Sequence, residues 1–251
     1  MPDVEWNKDL WDYSYDWTGL GEEWSKSWGG SEAQWFGSLY PRLHRLLPAG
    51  NLLEIAPGHG RWAHYLLRYI QGSYLGIDLS ETCVTYCKER FTGLGNASFV
   101  VNDGLSLDAA EDGNFDMVFS FDSLVHVSLD VHRAYIPQII RKLKPNGIAF
   151  IHHSNWADCG STEPNHHCRA EDVGAKDYAM IVNDAGGQVL LQECVNWGSA
   201  EMIDAFTIFR PASNENPKHE MTIISNQDFM LEARIIRTMQ SPYSRIPRAR
   251  S

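Results

Sequence analysis

Between residues 50 and 153 the chain alternates short apolar runs with stretches of helical length. That rhythm constrains the fold more than any other feature. The runs NLLEIA, SYLGIDL, ASFVVND, FDMVFSFDS and GIAFIHH are bounded by turn residues, as buried strands are. GRWAHYLLRYI, SETCVTYCKERF and DVHRAYIPQIIRKL lie between them and read as helices. Ser80 is placed to cap the second of these, and Lys144-Pro145-Asn146-Gly147 ends the third. A further helix, FGSLYPRLHRLL, precedes the series and stops at Pro48-Ala49-Gly50. The link GLSLDAAEDGN is short enough to hold only a helical turn. Strands alternating with helices predict an α/β, doubly wound, mostly parallel sheet with helices on both faces.

Outside this block the pattern changes. Residues 1–35 hold six of the nine tryptophans, and Trp24, Trp28 and Trp35 fall on one helical face. They predict an N-terminal helical, aromatic arm that packs on the core or closes over a ligand. After His153 comes a polar insert (154–170), then a helix, then the strand-like runs QVLLQECVNW and EMIDAFTIFR. These two runs are expected to pair as an antiparallel hairpin at the sheet edge. In the polar stretch 211–251, Phe229, Ala233 and Ile236 mark one helix face. The expected division is an arm (1–35), a core (36–210) that includes the insert, and a C-terminal appendix (211–251).

The formal net charge of −11 argues against a nucleic-acid partner, because phosphate binding rests on Lys and Arg. The basic tail SRIPRARS is short. No run approaches the ~20 apolar residues of a membrane span, and the N-terminus lacks the apolar core of a secretory signal. A cytoplasmic protein without membrane attachment is expected, and a homodimer is left open. The five cysteines are odd in number, which argues against a disulfide framework; Cys83 and Cys87 read as two buried thiols.

The chemistry is carried by EIAPGHG, between the first strand and its helix, where such sheets bind nucleotides. Gly58 and Gly60 permit a tight turn and close backbone approach. Asp78 ends the second strand twenty residues after Gly58, where a carboxylate suits ribose hydroxyls. GHGRWA also fits a dinucleotide pattern, so the loop alone leaves two cofactors open. Glu54 suits a cationic ligand better than a pyrophosphate, and Asn102-Asp103 at the end of the third strand suits an adenine amine.

LLEIAPGHG, YLGIDLS, VVNDG, FDMVFSFDSLVHV and LKPNGIAFIHHSN, in this order, resemble class I S-adenosylmethionine-dependent methyltransferases over about residues 50–210. The resemblance implies a Rossmann-like, seven-stranded sheet with an antiparallel last strand. It implies that Glu54, Ala56, Gly58 and Gly60 surround the methionine part of S-adenosyl-L-methionine, that Asp78 holds the ribose, and that Asp103 lies near the adenine amine. Asn102, Gly104, Phe121 and Trp28 complete the expected cofactor set. Ala56 stands where the family usually has its first glycine.

The acceptor is expected at the carboxyl ends of the strands. His153 is the first choice for a base, with His152 and Asp122 as alternatives. His126, Asn155 and Arg169 are candidate acceptor contacts. Asp158, Cys159, His166, His167 and Cys168 in the insert match no closed zinc spacing, so no metal is expected. These residues point to methylation of a small polar metabolite, on a hydroxyl of a sugar or glycoside. An amine or carboxylate acceptor, or a non-catalytic cofactor-binding module, are the competing readings.

Overall fold

The computed structural model describes residues 3–161, 164–213 and 219–238, and the tail SRIPRARS lies outside them. The five apolar runs form parallel strands β1 (Leu52–Ile55), β2 (Tyr74–Asp78), β3 (Ala97–Val101), β4 (Phe115–Ser120) and β5 (Leu143–Ser154). The hairpin follows as β6 (Gly187–Trp197) and β7 (Ala200–Pro211), with β7 antiparallel to both β5 and β6. The sheet order is β3-β2-β1-β4-β5-β7-β6-β8.

The eighth strand corrects the expected seven. β8 (Thr222–Asn226) comes from the appendix and pairs parallel with β6, so the hairpin is not the edge of the sheet. The helix Phe229–Thr238 then packs back on the core through the face read from sequence. Phe229 and Ala233 are buried and Ile236 packs beside them. Arg42 ties this helix to β6, with guanidinium bonds of 2.7–2.8 Å to Glu193 and 2.8–3.1 Å to Glu232.

Successive strand residues face opposite sides, so Leu52 belongs to one core and Leu53 and Ile55 to the other. Helices Ala63–Leu66 and Glu81–Arg90 cover the first face, and Leu129–Lys142 and Ala175–Asp184 the second. Cys83 and Cys87 are buried free thiols. The arm is not one helix. Gly29 and Gly30, at φ 101° and 118°, separate Trp24 from Ser31–Gln34 and Trp35. Trp28 and Trp35 are buried in the first core, whereas Trp24 faces a cleft.

Candidate active site

The strand order reverses direction between β1 and β4, and a cleft opens there at the carboxyl ends of β1, β2 and β4. The core supplies the floor, and Trp11, Trp17, Leu20 and Trp24 of the arm supply the roof.

The loop after β1 forms one wall. Ala56 takes φ +58°, the left-handed region that glycine adopts without strain, and Gly58 takes the same φ. The residue in the first-glycine slot thus keeps the glycine conformation. The Gly58 N–H donates to Asp78 Oδ2 and the Ser80 N–H to Asp78 Oδ1, both at 2.9 Å. Burial pushes the Asp78 carboxyl up to about 6, against the pull of these backbone donors. Gly60 serves packing: a Cβ there would lie 2.6 Å from the Phe91 ring and 3.2 Å from Cys87 Sγ.

Two cleft side chains keep unspent hydrogen-bonding groups. Trp62 Nε1 and both ring nitrogens of His59 are buried without a partner among the described residues. The His59 ring is sandwiched between Trp17 at 4.2 Å and Tyr86 at 4.1 Å. Burial, with Arg90 nearby, lowers its pKa to about 4 and keeps it neutral. Natural proteins rarely leave buried polar atoms unpaired, so these groups fit a polar ligand end.

The opposite wall follows β4. Asp122, at φ +61°, lines the cleft beside Phe121 and Ser123. Its Oδ2 accepts from Arg61 Nη2 at 2.9 Å, and its Oδ1 lies 3.9 Å from Arg169. The Asp122 N–H donates to His152 Nδ1 at 3.0 Å, so a neutral His152 carries its proton on Nε2, 3.2 Å from Asp204 Oδ2. Arg169 grips Asp204 with two bonds of 2.7 and 2.8 Å. With Asp122 these residues form a closed, buried ring. Arg169 holds the Asp204 carboxyl well below the usual range, outweighing the opposing effect of burial.

Several expectations are corrected by these positions. His153 does not reach the cleft: its side chain points to the second core, stacks on Tyr178 at 3.8 Å and bonds Thr207 Oγ1 at 2.7 Å. His152 is fully buried and its Nδ1 lone pair is already used, so neither histidine is free as a base. Asn155 is spent on Met202 O and the Ala175 N–H, and Arg169 on Asp204, so neither is a direct acceptor contact. The His126 Nδ1–H donates to Cys168 O at 2.9 Å and the ring leans on Trp11, behind the roof. Glu54 turns away from the cleft to accept from Tyr74 OH at 2.5 Å. Asp103 is exposed and caps the turn at Leu105 and Ser106, so Asn102 and Gly104 face the cleft in its place. Trp28 is core, its Nε1 bonded to Ser38.

Arg61, Trp62, Trp11, Trp17, Trp24 and Asp204 were not singled out from the sequence as site residues. Trp62 was legible in principle, standing two positions after Gly60. The others meet the site across separations such as the 61 positions between Arg61 and Asp122, which no local pattern carries.

Residues 52–147 match the family model described as a methyltransferase domain. A phosphoethanolamine N-methyltransferase of Plasmodium falciparum is 29% identical over 113 residues, which are 43% of this chain and 42% of that one. A phthiotriol/phenolphthiotriol dimycocerosates methyltransferase of Mycobacterium tuberculosis is 31% identical over 113 residues, 44% of this chain and 40% of that one. The chain therefore spans less than half the length of these curated relatives. Among solved structures, the [4+2]-cyclase SpnF superposes with a TM-score of 0.62 at 18% identity, covering 84% of this chain and 98% of that one. That likeness concerns the fold alone. The loop after β1, the carboxylate at the end of β2 and the matched stretch agree: the chain carries a class I, S-adenosylmethionine-dependent methyltransferase domain.

Proposed function

We propose that the chain methylates a hydroxyl oxygen of a small polar molecule enclosed beneath the arm, with Asp122 as the proton acceptor. The supporting observation is one cleft with Asp78 at one end, Asp122 at the other and indoles overhead. Asp78 would hold the ribose, Asn102 and Gly104 would border the adenine, and Gly58, His59 and Trp62 would receive the methionine end. When bound, S-adenosyl-L-methionine supplies an activated methyl group on a cationic sulfur. The chain then has to align an acceptor and take its proton. Asp122 Oδ1 is the carboxylate oxygen not bonded to Arg61, and it accepts the acceptor's hydroxyl hydrogen as the new carbon–oxygen bond forms. Trp11, Trp24 and Trp62 exclude water and offer flat apolar faces to a compact ring such as a sugar. No helix among the described residues is long and apolar enough to cross a membrane.

Incubation with methyl-labelled cofactor and a small-molecule extract tests this reading. Labelled product is expected, and Asp122→Asn should cut its rate by about 100-fold or more, the usual worth of a positioned base. A loss below about tenfold, rising in turnover with pH as a free amine forms, would assign an amine acceptor instead.

A further inference from the structure

We infer that Arg61 is a positioning residue that makes closure of the arm and placement of Asp122 a single event. The inference rests on the methyltransferase reading of the cleft. Arg61 directly follows Gly60 and is buried. Its guanidinium lies 4.5 Å from the Trp62 ring centre and 5.0 Å from that of Trp24 in the arm. Nη1 donates to Gly21 O at 3.2 Å and Ser25 Oγ at 3.1 Å, both in the arm. Nη2 donates to Asp122 Oδ2 at 2.9 Å. One planar fork thus joins the arm, the cofactor loop and the acceptor wall, a task a lysine ammonium cannot copy.

The contact is built into the backbone as well. Gly21 sits at φ +78°, and a Cβ there would come within 2.9 Å of the Trp24 ring. The arm's other attachments also land on loops that frame the cleft. Asp12 Oδ1 accepts from Ser80 Oγ at 2.6 Å and from the Thr82 N–H at 3.2 Å, Trp17 stacks on His59, and Asn7 Nδ2 donates to His126 O. Arg61 differs from these because it also holds the carboxylate at the reacting end. The arm roofs the cleft, so cofactor exchange requires it to lift. Lifting strips a buried cation of two oxygen acceptors and one indole face. Asp122 is then left gripping an under-coordinated guanidinium, and its orientation loosens with the arm.

Hydrogen exchange read by mass spectrometry on the ligand-free protein, together with stopped-flow release of S-adenosylhomocysteine, tests this. Arg61→Met should speed amide exchange across residues 5–25 at least tenfold while β1 and β4 keep their protection, and should speed product release at least tenfold. Asp122→Asn should loosen the same arm segment severalfold, through Arg61. Arg61→Lys should recover less than half of the lost protection. Arm exchange within twofold of wild type in Arg61→Met, or exchange rising equally in β1 and β4, overturns the inference. Wild-type protein that fails to bind S-adenosylhomocysteine would overturn the methyltransferase reading instead, while the exchange data still decide whether Arg61 fastens the arm.

Discussion

At the scale of single residues, Ala56 takes the place of a glycine without abandoning its conformation. A non-glycine residue in the left-handed region carries about 1–2 kcal/mol of strain. Ala56→Gly removes that strain, offset in part by the greater freedom of glycine when unfolded, so urea denaturation should show no loss of stability. Ala56→Val, β-branched at the same φ, should cost about 1–3 kcal/mol. Glu54 makes a separate prediction. Burial raises its pKa from 4.5 to about 8, although Tyr74 donates to it. The folded state therefore binds more protons than the unfolded state between those values, and this contribution to stability falls as pH rises through that window. Glu54→Gln keeps an acceptor for Tyr74 and lacks the titration, so its stability relative to wild type should grow from pH 4.5 to 8. A flat difference across that range would contradict it. Charge-assisted bonds are worth about 1.5–3 kcal/mol each, so calorimetry on Asp78→Ala should show cofactor affinity reduced by at least tenfold.

At the scale of elements, the strand ends decide which neighbours in sequence reach the cleft. His152 and His153 are adjacent on β5, so their side chains point to opposite faces of the sheet. His152 joins the ring around Asp122, and His153 packs in the second core between Thr207 and Tyr178. His153→Ala should therefore lower stability by about 2–4 kcal/mol through lost stacking on Tyr178 and the lost bond to Thr207, with cofactor affinity unchanged. A normal melting temperature combined with lost turnover would return His153 to the site. The C-terminal helix is equally structural. Phe229 is fully buried against Trp28, Trp197 and Phe206, so Phe229→Ala should cost about 3–5 kcal/mol in urea denaturation. The face Phe229–Ala233–Ile236 was legible from its spacing. The strand that precedes it, TIISN, was not, because five half-polar residues carry no period of their own.

At the scale of the whole molecule, the arm and both walls of the cleft meet at one switch point, between β1 and β4. A ligand that binds only this assembled state stabilises it by about 2.7 kcal/mol at 100 times its dissociation constant. S-adenosyl-L-methionine should therefore raise the melting temperature and NAD should not, since the loop offers His59 and Trp62 rather than a cradle for two phosphates. The alternation of strands and helices, the cofactor loop and Asp78 were determined by the sequence alone. Each depends on residues close along the chain, or on a period that a strand or helix imposes locally. The neighbours that surround Asp122, the roof of indoles and the link through Arg61 were decided only by tertiary structure. They join residues 30 to 120 positions apart, and the face a strand residue presents depends on register against neighbours that the chain reaches much later.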